Sequence, residues 1–81
     1  MASSYRPLGA YLMHRPGPTC ALSFREVEGH LGRALPPVAS ARRAWWSNHH
    51  SHAQAYHGWR AAGWRIASVD LARQVVTFRK G

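Results

Sequence analysis

Cysteine is nearly absent from this sequence, and long apolar runs are missing. The lone Cys20 excludes a disulfide within the chain and leaves no CxxC pair for zinc. No stretch reaches the ~18 consecutive apolar residues that a membrane-spanning helix needs. The first 18 residues also lack an apolar core long enough for a signal peptide. We therefore expect a cytoplasmic protein with no membrane partner.

Acidic residues are also scarce, at 3 against 11 basic ones, which gives a formal net charge of +8. Residues 1–40 contain four arginines and two glutamates, whereas residues 41–81 contain seven basic residues and Asp70 alone. A field of this sign attracts polyanions, and arginine makes forked contacts with phosphate or guanine. The charge favours a nucleic-acid ligand. A solvated arginine surface that reflects codon bias is the alternative.

The scarcity of acids argues against an enzyme. Hydrolytic or nuclease chemistry needs paired carboxylates, a metal site or a nucleophile with a base, and the acids are Glu26, Glu28 and Asp70 alone. The neighbouring Ser51 and His52 lack a third group that would orient the histidine. We predict neither catalytic activity nor a cofactor.

Apolar and aromatic residues are plentiful, by contrast, with 46% hydrophobic residues and four tryptophans. This composition excludes a disordered chain. A chain this short has room for one core. We therefore predict a single domain over residues 1–81, with residues 1–4 disordered.

Local signals define two helices in the first half. Pro7 suits the first turn of a helix, and Pro16 and Pro18 would end that helix. Ser23 and Glu26 have the spacing of a capping box, and Gly32 that of a C-terminal cap. The second helix should therefore cover residues 24–31, after a short apolar segment at residues 20–22 that is either a strand or a simple approach to the helix.

The second half predicts a third helix and a hairpin. A second capping box at Ser51 and Gln54 would open a helix over residues 52–62, with Tyr56 and Trp59 on its inner side and Gly63 at its end. The apolar residues within 64–80 alternate with polar ones in the pattern of two strands, with a bulge near residues 67–68 and a turn around 70–73.

The fold class predicted from these elements is α+β. The specific prediction is a small winged helix-turn-helix-like domain, with three helices plus a C-terminal β-hairpin. The linker over residues 33–46 is long for that motif, which keeps another α+β topology open.

Short segments spread over nearly the whole chain form a signature. The most specific are Ala44-Trp45-Trp46-Ser47-Asn48 and Ala62-Gly63-Trp64; the others are Tyr5-Arg6-Pro7-Leu8 with Tyr11-Leu12, Leu22-Ser23-Phe24 with Glu26 and Glu28, Leu31-Gly32, Leu35-Pro36, Val69-Asp70 and Val76-Thr77-Phe78-Arg79. In these segments the chain resembles a family of small bacterial domains of unknown function. The resemblance implies a single intact domain and no particular chemistry.

The stretch over residues 42–63 combines arginines, a tryptophan pair, a Ser-Asn turn and four of the six histidines. We predict a nucleic-acid-binding site there, most simply for double-stranded DNA, in a transcriptional or mobile-element regulator. Its candidate residues are Arg42, Arg43, Ser47, Asn48, His50, Ser51, Gln54, His57, Arg60, Arg65 and Arg79. The paired arginines and turn amides would hold phosphates, Gln54 would pair with adenine and His57 and Arg60 would reach bases or backbone. The hairpin arginines, Arg73 included, would act as a wing.

Other functions fit parts of the same stretch. The tryptophan pair and the tail strand could form an apolar patch for a protein partner or a homodimer, and an exposed tryptophan face could instead stack single-stranded bases. The histidines could ligate zinc, but adjacent residues and a spacing of five suit a shared ion poorly. We therefore predict no metal.

Overall fold

The computed structural model of the protein describes residues 4–81 and shows an α+β domain, as predicted. The elements in chain order are helix α1 (Arg6–Met13), strand β1 (Thr19–Ser23), helix α2 (Phe24–Leu31), helix α3 (Pro37–Ala41), a 3₁₀ helix (Arg43–Trp46), a π-helical turn (Ala55–Trp59), strand β2 (Trp64–Asp70) and strand β3 (Val75–Lys80). Residues 1–3, part of the segment predicted to be disordered, lie outside the described residues. None of the helices within residues 4–81 is long and apolar enough to cross a membrane.

The strands form an antiparallel sheet in the order β1-β3-β2. The predicted hairpin is present, and its register shifts between Ile66 and Ser68, which confirms the predicted bulge. The apolar segment before α2 is the third strand, since Cys20 pairs with Phe78. One face of the sheet carries the buried residues, such as Val76 and Phe78, and the alternate residues point to solvent. The sheet therefore has an inner face on the core and an outer face that is open.

Helix α2 has the predicted bounds and both predicted caps. The Ser23 Oγ accepts a hydrogen bond from the Glu26 N–H at 3.0 Å, and Glu26 Oε1 accepts one from the Ser23 N–H at 2.9 Å. Gly32 ends the helix in the left-handed region, at φ 75°. These reciprocal bonds satisfy N–H groups that have no partner within the helix.

The capping box makes stability depend on pH. The hydrogen bond from the Ser23 backbone is the main cause that lowers the pKa of Glu26 below its usual 4.5. A lowered folded-state pKa means that this stabilisation is present above about pH 4.5 and is lost as the pH falls through the folded value. We expect wild type to be more stable than Glu26→Gln near pH 7, and this difference to shrink as the pH falls through the lowered folded-state pKa of Glu26. Urea unfolding across this range measures it, and a difference that stays constant with pH would contradict the assignment.

The core is built around stacked aromatic rings. Trp46 stacks on Phe24 at 4.8 Å between centroids and on Trp59 at 6.0 Å, and Trp59 also contacts Phe78 at 5.9 Å. Trp46, Trp59 and Trp64 are buried, and Trp45 is half-buried. The prediction that one member of the Trp pair is core is confirmed for Trp46. Trp45, the other member of the pair, keeps part of its surface accessible.

The predicted third helix is wrong in length and in orientation. Only a short helical segment forms, with an i to i−5 bond from the Arg60 N–H to the Ala55 carbonyl at 2.9 Å and a non-helical kink at Gly58. Its buried side is centred on Ala55, Gly58 and Trp59 because Gly58 packs against α1. Tyr56 consequently lies outside that side and is 56% exposed, rather than internal as predicted.

Candidate nucleic-acid interface

Asn48 has a structural role in the loop that follows the Trp pair. Its Oδ1 accepts hydrogen bonds from the Ile66 N–H at 2.7 Å and from the Trp59 indole N–H at 3.1 Å, and its Nδ2 donates to the Ile66 carbonyl at 3.0 Å. The side chain thus replaces a neighbouring strand at the edge of β2. Asn48 was predicted to bind phosphate through its turn, but these bonds engage its side chain within the protein.

Gln54 is the clearest correction to the predicted site. The side chain is only 7% exposed, and its Nε2 donates to the Trp45 carbonyl at 2.7 Å. A base edge in a groove of DNA cannot be reached by a buried amide, so the predicted adenine contact is wrong. The predicted Ser51 cap is absent as well, since the Ser51 Oγ bonds to the His49 ring at 2.8 Å.

The remaining polar residues before the π-helical turn are exposed or half-buried. Arg42 is exposed at the end of α3, and Ser47 accepts a hydrogen bond from the His49 N–H at 3.0 Å. His49 and His50 stack at 4.5 Å. Arg43 donates a hydrogen bond to the Val69 carbonyl, which brings its guanidinium to the edge of β2.

The open face of the sheet brings two predicted arginines together. Arg65 and Arg79 are direct cross-strand partners in the β2–β3 ladder, and both are exposed. The next outward pair along the ladder is Ser68 and Thr77. Directly opposed residues in a sheet have Cβ atoms about 5 Å apart. Two like charges therefore lie side by side next to a pair of hydroxyl groups.

The other end of the open face carries two arginines and one carboxylate. Arg43 and Arg73 line a shallow depression of about 480 Å³ together with Ser68, Asp70 and Thr77. Asp70 accepts a hydrogen bond from the Arg73 N–H at 3.0 Å, which shapes the hairpin turn. We name the set of Arg43, Arg65, Ser68, Arg73, Thr77 and Arg79 the outer sheet face. Ser68 and Thr77 were not predicted as site residues. Only the strand register shows that this pair lies between the Arg65–Arg79 pair and the end of the face that carries Arg43 and Arg73.

His57 and Arg60 lie away from the sheet, on the side of the domain formed by the helices. Both line a groove between α1 and the π-helical turn, with Arg6 and His14 from α1. The predicted site is therefore divided between the outer sheet face and this groove. The α1 residues were missed, although Arg6, Ala10 and Met13 have the spacing of one helical face.

The acidic residues support the backbone. Glu26 and Asp70 accept the N–H bonds described above, and Glu28 Oε2 accepts the Leu35 N–H at 2.7 Å. Within residues 4–81, no group of three or more histidine, cysteine or acidic side chains is arranged to hold a metal ion.

These features define a small α+β domain with a basic outer sheet face. A family model described as "Domain of unknown function (DUF7662)" matches residues 5–81, and the chain belongs to that family. This match confirms the resemblance to a domain family of unknown function. No curated protein and no solved structure matches the chain.

Proposed function

We propose that this protein is a nucleic-acid-binding module that contacts the sugar-phosphate backbone, preferably of double-stranded DNA, through the outer sheet face. The observation that carries the proposal is the direct pairing of Arg65 with Arg79 on an open face. Directly opposed like charges destabilise a sheet, and an anion between them removes that repulsion. Guanidinium groups also form forked hydrogen bonds with phosphate.

The chemistry of the neighbouring side chains supports phosphate rather than base contacts. Ser68 and Thr77 offer hydroxyl donors beside the arginine pair, and Arg43 and Arg73 add charge at the other end of the face. Side chains of these types make most of the contacts that proteins form with DNA phosphates. The residues of the outer sheet face include no aromatic ring, whereas single-strand binders stack bases on such rings. A duplex is therefore the favoured ligand.

This proposal keeps only the wing of the predicted winged helix-turn-helix. The β2–β3 hairpin takes the part of a wing that lies along the backbone. The proposal gives Gln54 no base-reading role, since that residue is buried. The proposed biological context is a cytoplasmic regulator of transcription or of a mobile element.

Titration of a fluorescently labelled 20-base-pair duplex, followed by anisotropy at 50 mM salt, tests the proposal. We expect Arg65→Gln combined with Arg79→Gln to weaken binding at least about tenfold, which corresponds to losing roughly 1.4 kcal/mol of charge-assisted contacts. Both side chains are exposed, so the melting temperature should not fall.

The matched control removes the same charge from the helical layer. Arg6→Gln combined with Arg25→Gln alters two exposed residues of α1 and α2, and we expect less than about a threefold change in affinity from the lost long-range field. Absence of duplex binding by wild type, or equal weakening by the two double variants, would refute the outer sheet face as the site.

A further inference from the structure

A second surface has the features of a small-ligand site. A groove of about 860 Å³ lies between α1 and the π-helical turn, and its larger lining side chains are Arg6, Met13, His14, Tyr56, His57 and Arg60. Ligand pockets in proteins have volumes of about 300–1,000 Å³. The groove shares no lining residue with the outer sheet face.

Exposed apolar surface is concentrated in this groove. Met13 is 61% exposed and Tyr56 is 56% exposed, and among residues 4–81 Val38 is the one further large apolar side chain that is exposed. Tyr56 makes a T-shaped contact with the His57 ring at 4.9 Å, which restrains its orientation. A restrained and accessible ring suits a planar aromatic ligand.

The polar part of the groove is basic. Arg6, His14, His57 and Arg60 line it, and no carboxylate does. The Arg60 Nη1 donates to the Gly81 carbonyl at 3.2 Å and lies 3.4 Å from the Trp64 carbonyl. These contacts hold the guanidinium in place while its other N–H groups stay available. A group fixed before binding loses little entropy when a ligand arrives.

Small residues give a flat ligand room to enter. Gly9 and Ala10 from α1, and Ala61 and Ala62 after the π-helical turn, also line the groove. An α-helix of eight residues such as α1 is about 12 Å long, which limits the ligand to a short one. The basic lining, the exposed Tyr56 ring and the short length of the groove together indicate a ligand that has one planar ring system and one anionic group.

We propose that the groove binds a free nucleoside monophosphate. The phosphate lies between Arg6 and Arg60, and the base lies against Tyr56 and Met13. This site is independent of the proposed duplex binding, because the two surfaces share no residue.

Calorimetric titration with adenosine 5′-monophosphate, joined to amide chemical-shift mapping, tests this proposal. We expect saturable binding, with shifts confined to α1 and the segment around residues 55–62. Adenosine and inorganic phosphate, which each carry half of the ligand's chemistry, should bind at least about tenfold more weakly.

Three single variants separate the parts of the site. Arg6→Gln should weaken binding of the monophosphate about tenfold and leave adenosine unaffected, whereas Tyr56→Ala should weaken both ligands by about tenfold, as a stacked base contributes roughly 1–3 kcal/mol. Arg25→Gln, an exposed arginine on α2 outside the groove, is the matched control and should change nothing.

Several results would overturn the proposal. They are a lack of saturable binding, equal weakening by Arg25→Gln and Arg6→Gln, or groove shifts with an acidic helical peptide but none with the monophosphate. Loss of monophosphate binding in the Arg65→Gln and Arg79→Gln double variant would place the ligand on the sheet instead. A failure to bind duplex DNA, in contrast, would not count against the monophosphate site, because the two surfaces share no lining residue.

Discussion

Asn48→Ala is expected to lower the free energy of unfolding by about 2 kcal/mol, because a buried donor that loses its acceptor costs roughly 1–3 kcal/mol. The buried Trp59 indole would lose its acceptor, and both backbone groups of Ile66 would lose their partner. Asn48 itself is exposed, so water can replace the bonds at Ile66. For a domain of this size the melting temperature should fall by roughly 10 °C.

A double-mutant cycle shows whether the indole bond is responsible. Trp59→Phe removes the donor, so Asn48→Ala should cost about 1 kcal/mol less in that background than in wild type. His50→Ala, two residues away and exposed, serves as the control and should stay within about 0.5 kcal/mol of wild type. Equal stabilities of the Asn48 and His50 variants would show that the bridge to β2 contributes nothing.

Gly9→Ala is expected to destabilise the fold by about 2 kcal/mol, even though alanine favours a helix by nearly 1 kcal/mol over glycine. A Cβ atom at Gly9 would lie 2.6 Å from the Gly58 carbonyl oxygen, which belongs to the backbone and cannot rotate away. Helix α1 and the π-helical turn would have to separate. Chemical denaturation followed by tryptophan fluorescence measures the change.

The same substitution at Gly29 should have the opposite sign. Gly29 lies within α2, and a Cβ atom there would meet nothing within 4 Å. Gly29→Ala should therefore stabilise the protein by about 0.5–1 kcal/mol through helix propensity alone. Destabilisation at both positions, or at neither, would contradict the contact between Gly9 and Gly58.

The parts of the fold that the sequence predicted correctly are those that depend on neighbouring residues. The capping box of Ser23 and Glu26, the cap at Gly32 and the bulge before Ser68 each follow from spacing within a few residues. Such features are encoded locally, so a single sequence suffices to find them.

The errors come from contacts between distant residues. The orientation of the third helical segment depends on Gly58 meeting Gly9, and the inward turn of Gln54 depends on the Trp45 carbonyl. The spacing of apolar side chains gives no weight to glycine, which has no side chain. The inner side of the helix was therefore assigned to Tyr56 instead. Pairing of β1 with β3 likewise joins residues such as Cys20 and Phe78, which are far apart in the chain.

The candidate site shows the same limit. Sequence proximity grouped His57 and Arg60 with Arg43, but the fold separates them into the groove and the outer sheet face. Arg65 and Arg79 were each predicted, yet their adjacency follows only from the register of the β2–β3 ladder. A bulge between them makes that register hard to derive from alternation alone.

The salt dependence of duplex binding tests the proposed function most directly. If the four arginines of the outer sheet face each contact a phosphate, a plot of log K against log salt should have a slope of about −4 for wild type. Removal of Arg65 and Arg79 should flatten the slope to about −2, while the Arg6 and Arg25 control keeps the wild-type slope. Parallel lines for wild type and the Arg65 and Arg79 double variant would contradict phosphate binding by this face.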